Sequence, residues 1–404
     1  MKVFIQSYIT RSISIAPLIT LRVVFGALML FAAVRFAAYG WINDLYIQPD
    51  FHFAFFGLDW LQPLPGMGMY LVFGAMALAA TGIMLGAYYR IAAPTFLVLF
   101  SYVELIDKAT YLNHYYLVTL IAFLLCLVPA HAARSIDAIR TPQIQRSTVP
   151  AWMIHIFMLQ VGLVYFYAGI AKLTPHWLFE AMPLKIWLPA RADMPLIGTF
   201  LDQEWTPYLF AWFGVIYDLT IVFFLLVSST RKWAYTAVVV FHVLTWVLFQ
   251  IGMFPWIMIG MTLVFFAAPA HERIQNLLGP WPKKEVKTER AMLPNYAVVG
   301  LLCAYFVIQV ALPLRSHFSE GDLYWLEDGY RFSWRVMLME KSGHITFRVV
   351  DSDSGKSAIV DHGKMLTQLQ ETQMCTQPDM ILQMAQFIAD DYATQGYQVE
   401  VYAD

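Results

Sequence analysis

The sequence predicts an all-α polytopic membrane bundle of about nine transmembrane helices, followed by a small C-terminal extramembrane α+β domain. Three observations carry that reading. Apolar residues make up 59% of the 404 residues and charged residues only 13%, a balance outside the range of soluble domains. Apolar runs long enough to span a bilayer recur along most of the chain. From about Trp325 the pattern changes to short alternating segments separated by turn residues.

Taken in order, the apolar runs lie at roughly 18–39, 68–87, 91–107, 115–131, 151–172, 207–229, 233–250, 252–270 and 293–313. The first has no A-x-A-like cleavage site and is long enough to span, so it reads as a helix rather than a removable signal. The aromatic loop 51–67 is expected to lie on the membrane surface. A cytoplasmic N-terminus puts Arg90, Arg134, Arg140, Arg146, Arg231 and Lys232 on the inner side and leaves only Lys108, Lys172, Lys185 and Arg191 in the short outer loops. The C-terminal part then lies outside. There, Phe332–Met339 and His344–Val350 alternate as strands do, Ser354-Gly355 suits a hairpin turn, residues 378–393 form an amphipathic helix, and Tyr397–Tyr402 is a last strand. Residues 1–318 thus form the transmembrane catalytic domain and 319–404 the extracytoplasmic one. A net charge of −2 offers nothing to nucleic acid. Three cysteines without a CxxC pair argue against thiol-redox chemistry or a cysteine-held metal, and no metal is expected.

Chemistry concentrates around Gly162–Trp177. Gly162, Tyr165, Gly169 and Lys172 recur at steps of three and four, so a helix aligns them on one face. Small residues direct that face toward a neighbouring helix. The Lys172 ammonium is costly to desolvate; it either snorkels to water or stays neutral as a base. Between spans three and four, Asp107, Asn113 and His114 form either a polar cluster at the membrane border or a helix stop, with Asp107 paired to Lys108. Span seven carries His242 at mid-depth and ends at Gln250; such a histidine either faces a cavity or is a buried structural one hydrogen-bonded to a neighbouring helix. Asp218 in span six is a partner for Lys172, His242 or Arg35. His317, after span nine, reads equally as a helix cap. The topology nevertheless gathers Asp107, Asn113, His114, Lys172, Gln250 and His317 at the outer end of the bundle, with His242 less than three turns below Gln250. That convergence points to one cavity at the outer border, entered from lipid, roofed by the C-terminal domain and suited to a lipid-soluble co-substrate.

Several blocks, in order, resemble the vitamin K-dependent gamma-carboxylases. They include Leu61-Gln-Pro-Leu-Pro65, Leu105-Ile-Asp-Lys108 with Asn113-His114, Val164-Tyr-Phe-Tyr-Ala-Gly-Ile-Ala-Lys172, Phe241-His242, Ile251-Gly-Met-Phe254 and Ser333-Trp334. The resemblance implies an integral membrane carboxylase/epoxidase. Its co-substrates are a reduced vitamin K or menaquinol, O2 and CO2, and its acceptor is a glutamate-containing peptide or protein. It implies that Lys172 deprotonates the quinol, which is oxygenated to a stronger base and ends as the 2,3-epoxide. Glutamate then loses its γ-proton and takes up CO2. Asn113 and His114 are implied to position quinol oxygens, with His242, Gln250, His317, Asp107 and the segment bearing Tyr330, Trp334 and Met337 around the quinol. The chain departs from animal members in its short C-terminal region and in carrying Ala171-Lys172 where they have two lysines. Its expected place is therefore a bacterial inner membrane, or the ER with the domain lumenal if it is eukaryotic. The alternatives are quinol epoxidation without protein carboxylation, a non-catalytic transporter or scaffold, and a b-type cytochrome using His155 and His242, whose depths disagree.

Overall fold

A computed structural model describes residues 11–249, 251–277, 279, 296–318 and 320–404. Seven of its helices are long and apolar enough to cross a membrane: α1 (Ala16–Ala38), α2 (Gly68–Leu85), α3 (Tyr89–Ile106), α5 (Trp152–Ala171), α6 (Thr206–Leu226), α7 (Arg231–Phe249) and α9 (Tyr296–Leu314, extended to His317 by a 3-10 turn). Two shorter apolar helices, α4 (Asn113–Leu127) and α8 (Phe254–Thr262, extended to Phe265), complete the series. Each of the nine apolar runs thus becomes one helix. Helices α7 and α8 are separated by Gly252, at φ 61, a left-handed conformation that glycine adopts without penalty.

Buried polar groups tie the bundle together. Arg22, fully buried in α1, donates to the carbonyls of Ile83 (2.9 Å), Met84 (2.7 Å) and Arg134 (2.7 Å). It thereby satisfies the acceptors left open where α2 ends. Gly86 at φ 62 permits this, since a Cβ there would sit 2.6 Å from the Arg22 guanidinium. At the same end of the bundle a short ribbon pairs β1 (Ser12–Ser14) with β2 (Thr148–Pro150), antiparallel.

The C-terminal part holds β3 (Phe347–Asp351), β4 (Ser357–Val360), α10 (Gln368–Met374), α11 (Pro378–Thr394) and β5 (Val399–Ala403). The antiparallel sheet has the order β4-β3-β5. Met380, Met384 and Ile388 of α11 are buried with Phe347 and Val349 of the sheet. Phe53, fully buried, belongs to this core, and Phe51 contacts Phe387 at 4.5 Å between ring centroids. Loop 51–67 therefore docks the C-terminal part with its first residues, while Phe56 and Trp60 stay exposed.

The expected strand Phe332–Met339 does not form. Phe332, Trp334 and Met337 all have φ between 55 and 62, and the segment turns repeatedly. It has no strand to pair with because it packs against the helical bundle, and apolar burial overrides the alternating pattern.

Candidate active site

Lys172 is the C-terminal cap of α5, and the chain turns sharply just beyond it. Thr174 caps the next short helix through Trp177 N (3.3 Å), and Trp177 Nε1 donates to the Ala211 carbonyl of α6 (2.9 Å). That turn directs the lysine inward. Its Nζ donates to Asp218 Oδ2 at 2.8 Å and to the Ala168 carbonyl at 3.1 Å, and lies 5.6 Å from the Trp177 ring. The side chains of Lys172 and Asp218 are 11% and 5% exposed. Lys172 therefore neither snorkels nor stands alone: it forms a buried ion pair. Gly169 makes the pairing possible. A Cβ there would lie 2.7 Å from the Leu219 side chain and 3.2 Å from Asp218 Cβ, so the small residue lets α6 approach α5.

The pair borders an apolar cavity of about 840 Å³ walled by Trp177, Phe210, Phe241, Phe249, Phe254, Trp334 and Met337. The His242–Tyr165 pair also lines it. His242 Nε2 lies 3.0 Å from the Tyr165 hydroxyl, which also approaches Thr262 Oγ1 at 3.4 Å. The histidine is 2% exposed, and its Nδ1 has no hydrogen-bond partner among the described residues. Trp334 Nε1 is buried and, among the described residues, has no partner either.

A second, more polar cavity of about 1670 Å³ shares Ile251, Phe254, Val336 and Met337 with the first. Asn113, His114 and Tyr330 line it, with Arg35, Lys108, Arg331, Arg335 and Lys341. Asn113 Nδ2 donates to the Arg335 carbonyl (2.8 Å), and its Oδ1 accepts from the Tyr111 hydroxyl (3.1 Å). Tyr111 in turn accepts from Phe332 N (2.7 Å). The start of α4 thus holds the 332–337 segment against the bundle. Asp379 receives both Lys108 (2.5 Å) and Arg331 (3.1 Å), and Lys341 pairs with Glu327 (2.7 Å).

The two contiguous cavities bring together Lys172, His242, Trp334 and Met337 on one side and Asn113, His114 and Tyr330 on the other. Two expected members lie apart. Asp107 borders neither cavity. Its carboxylate accepts from Ala109 N (2.8 Å) and from Gln370 Nε2 (2.7 Å), fastening α10 to the loop before α4. Burial pushes its carboxyl up to about 6. Its sequence neighbour Lys108 turns away to Asp379 instead of pairing with it. His317 is exposed, its Nδ1 lies 3.2 Å from the Leu314 carbonyl, and it borders neither cavity. Gln250 lies outside the described residues. His155 lines a separate groove on the far side of α5, so it and His242 share no cavity.

Sequence reasoning left the partner of Asp218 open and did not single out Tyr111 or Arg335. One signal for Arg35 was available: it is a charged residue inside an apolar run, and such residues usually face a cavity or a partner.

Residues 10–269 match the family model described as HTTM domain. Residues 294–404 match that described as vitamin K-dependent gamma-carboxylase, lumenal domain. No solved structure matches the chain.

Proposed function

Because the chain belongs to the vitamin K-dependent gamma-carboxylase family and is a carboxylase-like membrane protein, we propose that it couples epoxidation of a reduced naphthoquinone to carboxylation of glutamate, with Lys172 as the base that starts the reaction. The observation that carries this reading is the buried Lys172–Asp218 pair on the wall of an aromatic cavity. A flat bicyclic quinol suits a space with apolar, aromatic walls. His242, held beside Tyr165, gives that wall a polar side chain.

When bound, the quinol together with oxygen supplies the strong base that removes the γ-proton of glutamate, and CO2 then adds to the carbanion. The chain's own residues prepare that event. Away from water, an ion pair and its neutral amine–acid form lie closer in energy than they do in solvent. Asp218 can therefore hold the ammonium's proton while the Lys172 amine accepts one from a quinol hydroxyl. Tyr165 orients His242. Trp334 and Met337 close the cavity against water, which strengthens every charge interaction inside it. Asn113 and His114, in the neighbouring polar cavity, face the place where quinol chemistry meets the acceptor. The site lies at the extracytoplasmic border, with the N-terminus cytoplasmic.

The test is an assay of purified protein with reduced vitamin K and oxygen, with and without a short glutamate peptide and labelled bicarbonate. Epoxide should form, label should enter the peptide, and Lys172→Ala should abolish both. Equal turnover by that variant removes Lys172 from the mechanism. Epoxide without label marks a quinol epoxidase.

A further inference from the structure

On the side of α5 away from the apolar cavity, a groove runs between α5 and α6 toward the end of the bundle that carries the β1–β2 ribbon. Its walls are apolar, with Met158, Leu159 and Phe166 of α5 across from Val222 and Phe223 of α6. Gly162 leaves the floor open: a Cβ there would meet only the Val222 side chain, at 3.5 Å. Two arginines stand at the mouth. Arg11 is exposed, and its carbonyl accepts from Ala151 N (2.9 Å), which holds it beside the start of α5. Arg231 begins α7. Its Nε and Nη2 donate to the Leu225 and Leu226 carbonyls (2.7 and 2.8 Å), fixing the guanidinium against the end of α6. Neither arginine forms an ion pair with a carboxylate among the described residues. At its other end the groove reaches Asp218, about 12 Å along α6 from Leu226.

We propose that this groove binds an anionic phospholipid, with the headgroup phosphate between Arg11 and Arg231 and one acyl chain lying along α5 and α6 as far as Asp218. Charge and shape each select that occupant. Guanidinium groups match phosphate oxygens in geometry as well as charge, and a choline headgroup would bring a cation of its own to the same place. The apolar length of the groove offers a free phosphate nothing, whereas a chain of methylenes leaves water by filling it. With the N-terminus cytoplasmic, the mouth lies at the surface where anionic lipids gather around basic residues. Asp218 belongs to both spaces: it pairs with Lys172 on the wall of the apolar cavity, and it also borders the groove. A seated acyl chain therefore keeps water from the back of that ion pair.

Lipid-depleted full-length protein in detergent tests this, titrated with phosphatidylglycerol or with phosphatidylcholine of the same chains while native mass spectrometry counts the lipid bound. Phosphatidylglycerol should bind at least about tenfold more tightly. Arg11→Gln and Arg231→Gln should each remove most of that preference. Gly162→Leu, which fills the floor without altering a charge, should weaken the binding of both lipids. Inorganic phosphate at the same concentration should displace neither. Phosphatidylglycerol should also raise the unfolding temperature of the parent protein, and raise it less in the variants. Arg11→Gln and Gly162→Leu carry the test if Arg231→Gln, which loses its bonds to α6, does not fold. Equal affinity of the parent for the two lipids, or an unchanged preference in the folded arginine variants, overturns the proposal. So does displacement by phosphate, or undiminished lipid binding in Gly162→Leu.

Discussion

The Tyr165 hydroxyl lies 3.0 Å from His242 Nε2, linking the middle of α5 to the middle of α7 behind the apolar cavity. Through that contact the imidazole is fixed, with Nδ1 unbonded among the described residues. Tyr165→Phe removes the contact with little change of volume. Epoxide formation should fall about tenfold, the rate equivalent of a single hydrogen bond of about 1.4 kcal/mol. Undiminished kcat/KM in that variant would mean that the orientation of His242 is immaterial.

The Lys172–Asp218 pair makes opposite predictions for stability and activity. Asp218→Asn leaves a buried ammonium without its anion and should cost about 3–5 kcal/mol of stability. The double variant Lys172→Met with Asp218→Leu replaces the pair by apolar groups. It should recover most of that loss while remaining inactive. Thermal unfolding of the three proteins checks the first part and epoxide assay the second; a double variant as unstable as Asp218→Asn would contradict the account.

Gly169→Val probes the close approach of α5 and α6. Even its first added carbon would start 2.7 Å from the Leu219 side chain and 3.2 Å from Asp218 Cβ. Forcing the helices apart should cost about 1–3 kcal/mol and lengthen the Lys172–Asp218 contact. Activity should fall further than that of Gly74→Val on α2, where a Cβ meets nothing within 4 Å.

Asp107 gives the junction with α10 a pH dependence. Burial raises its carboxyl to about 6 in the folded protein, above the unfolded value, so the folded state binds the proton more tightly. The stabilisation this provides is complete below about pH 4 and is lost as pH rises through about 6. Asp379, held low by Arg331 and Lys108, changes only below that window. Asp107→Asn carries no charge to desolvate. Its unfolding temperature relative to the parent protein should therefore be higher at pH 7.5 than at pH 4.5, by the equivalent of roughly 1–3 kcal/mol. The same difference at both pH values would mean that the carboxyl is not strained by burial.

The helical frame could be read from hydropathy because each span must hide its own backbone in lipid, which fixes length and composition together. Lys172 stood out for a related reason: Gly162 and Gly169 mark the face that meets a neighbouring helix, and the lysine falls on it. Which residue meets Lys172 from α6 depends on that helix's rotation, so Asp218 was visible as an acid without a partner. Asp107 and Lys108 show the opposite limit. Adjacent along the chain, they sit where the backbone is extended at Asp107 (φ −139, ψ 123), and their side chains part toward Gln370 and Asp379. The segment 332–339 alternates like a strand, but its residues are distributed between two cavity walls, and alternation alone cannot tell a sheet edge from such a lining.

Trp334 and Met337 come from beyond the last span, yet they complete a space whose other walls are built by α5 to α8 and the connection between α5 and α6. Neither portion of the polypeptide therefore encloses that cavity by itself. Severing the chain after α9 would yield two fragments, each with an open half, and swapping the C-terminal portion for a foreign one would exchange part of the cavity lining along with it.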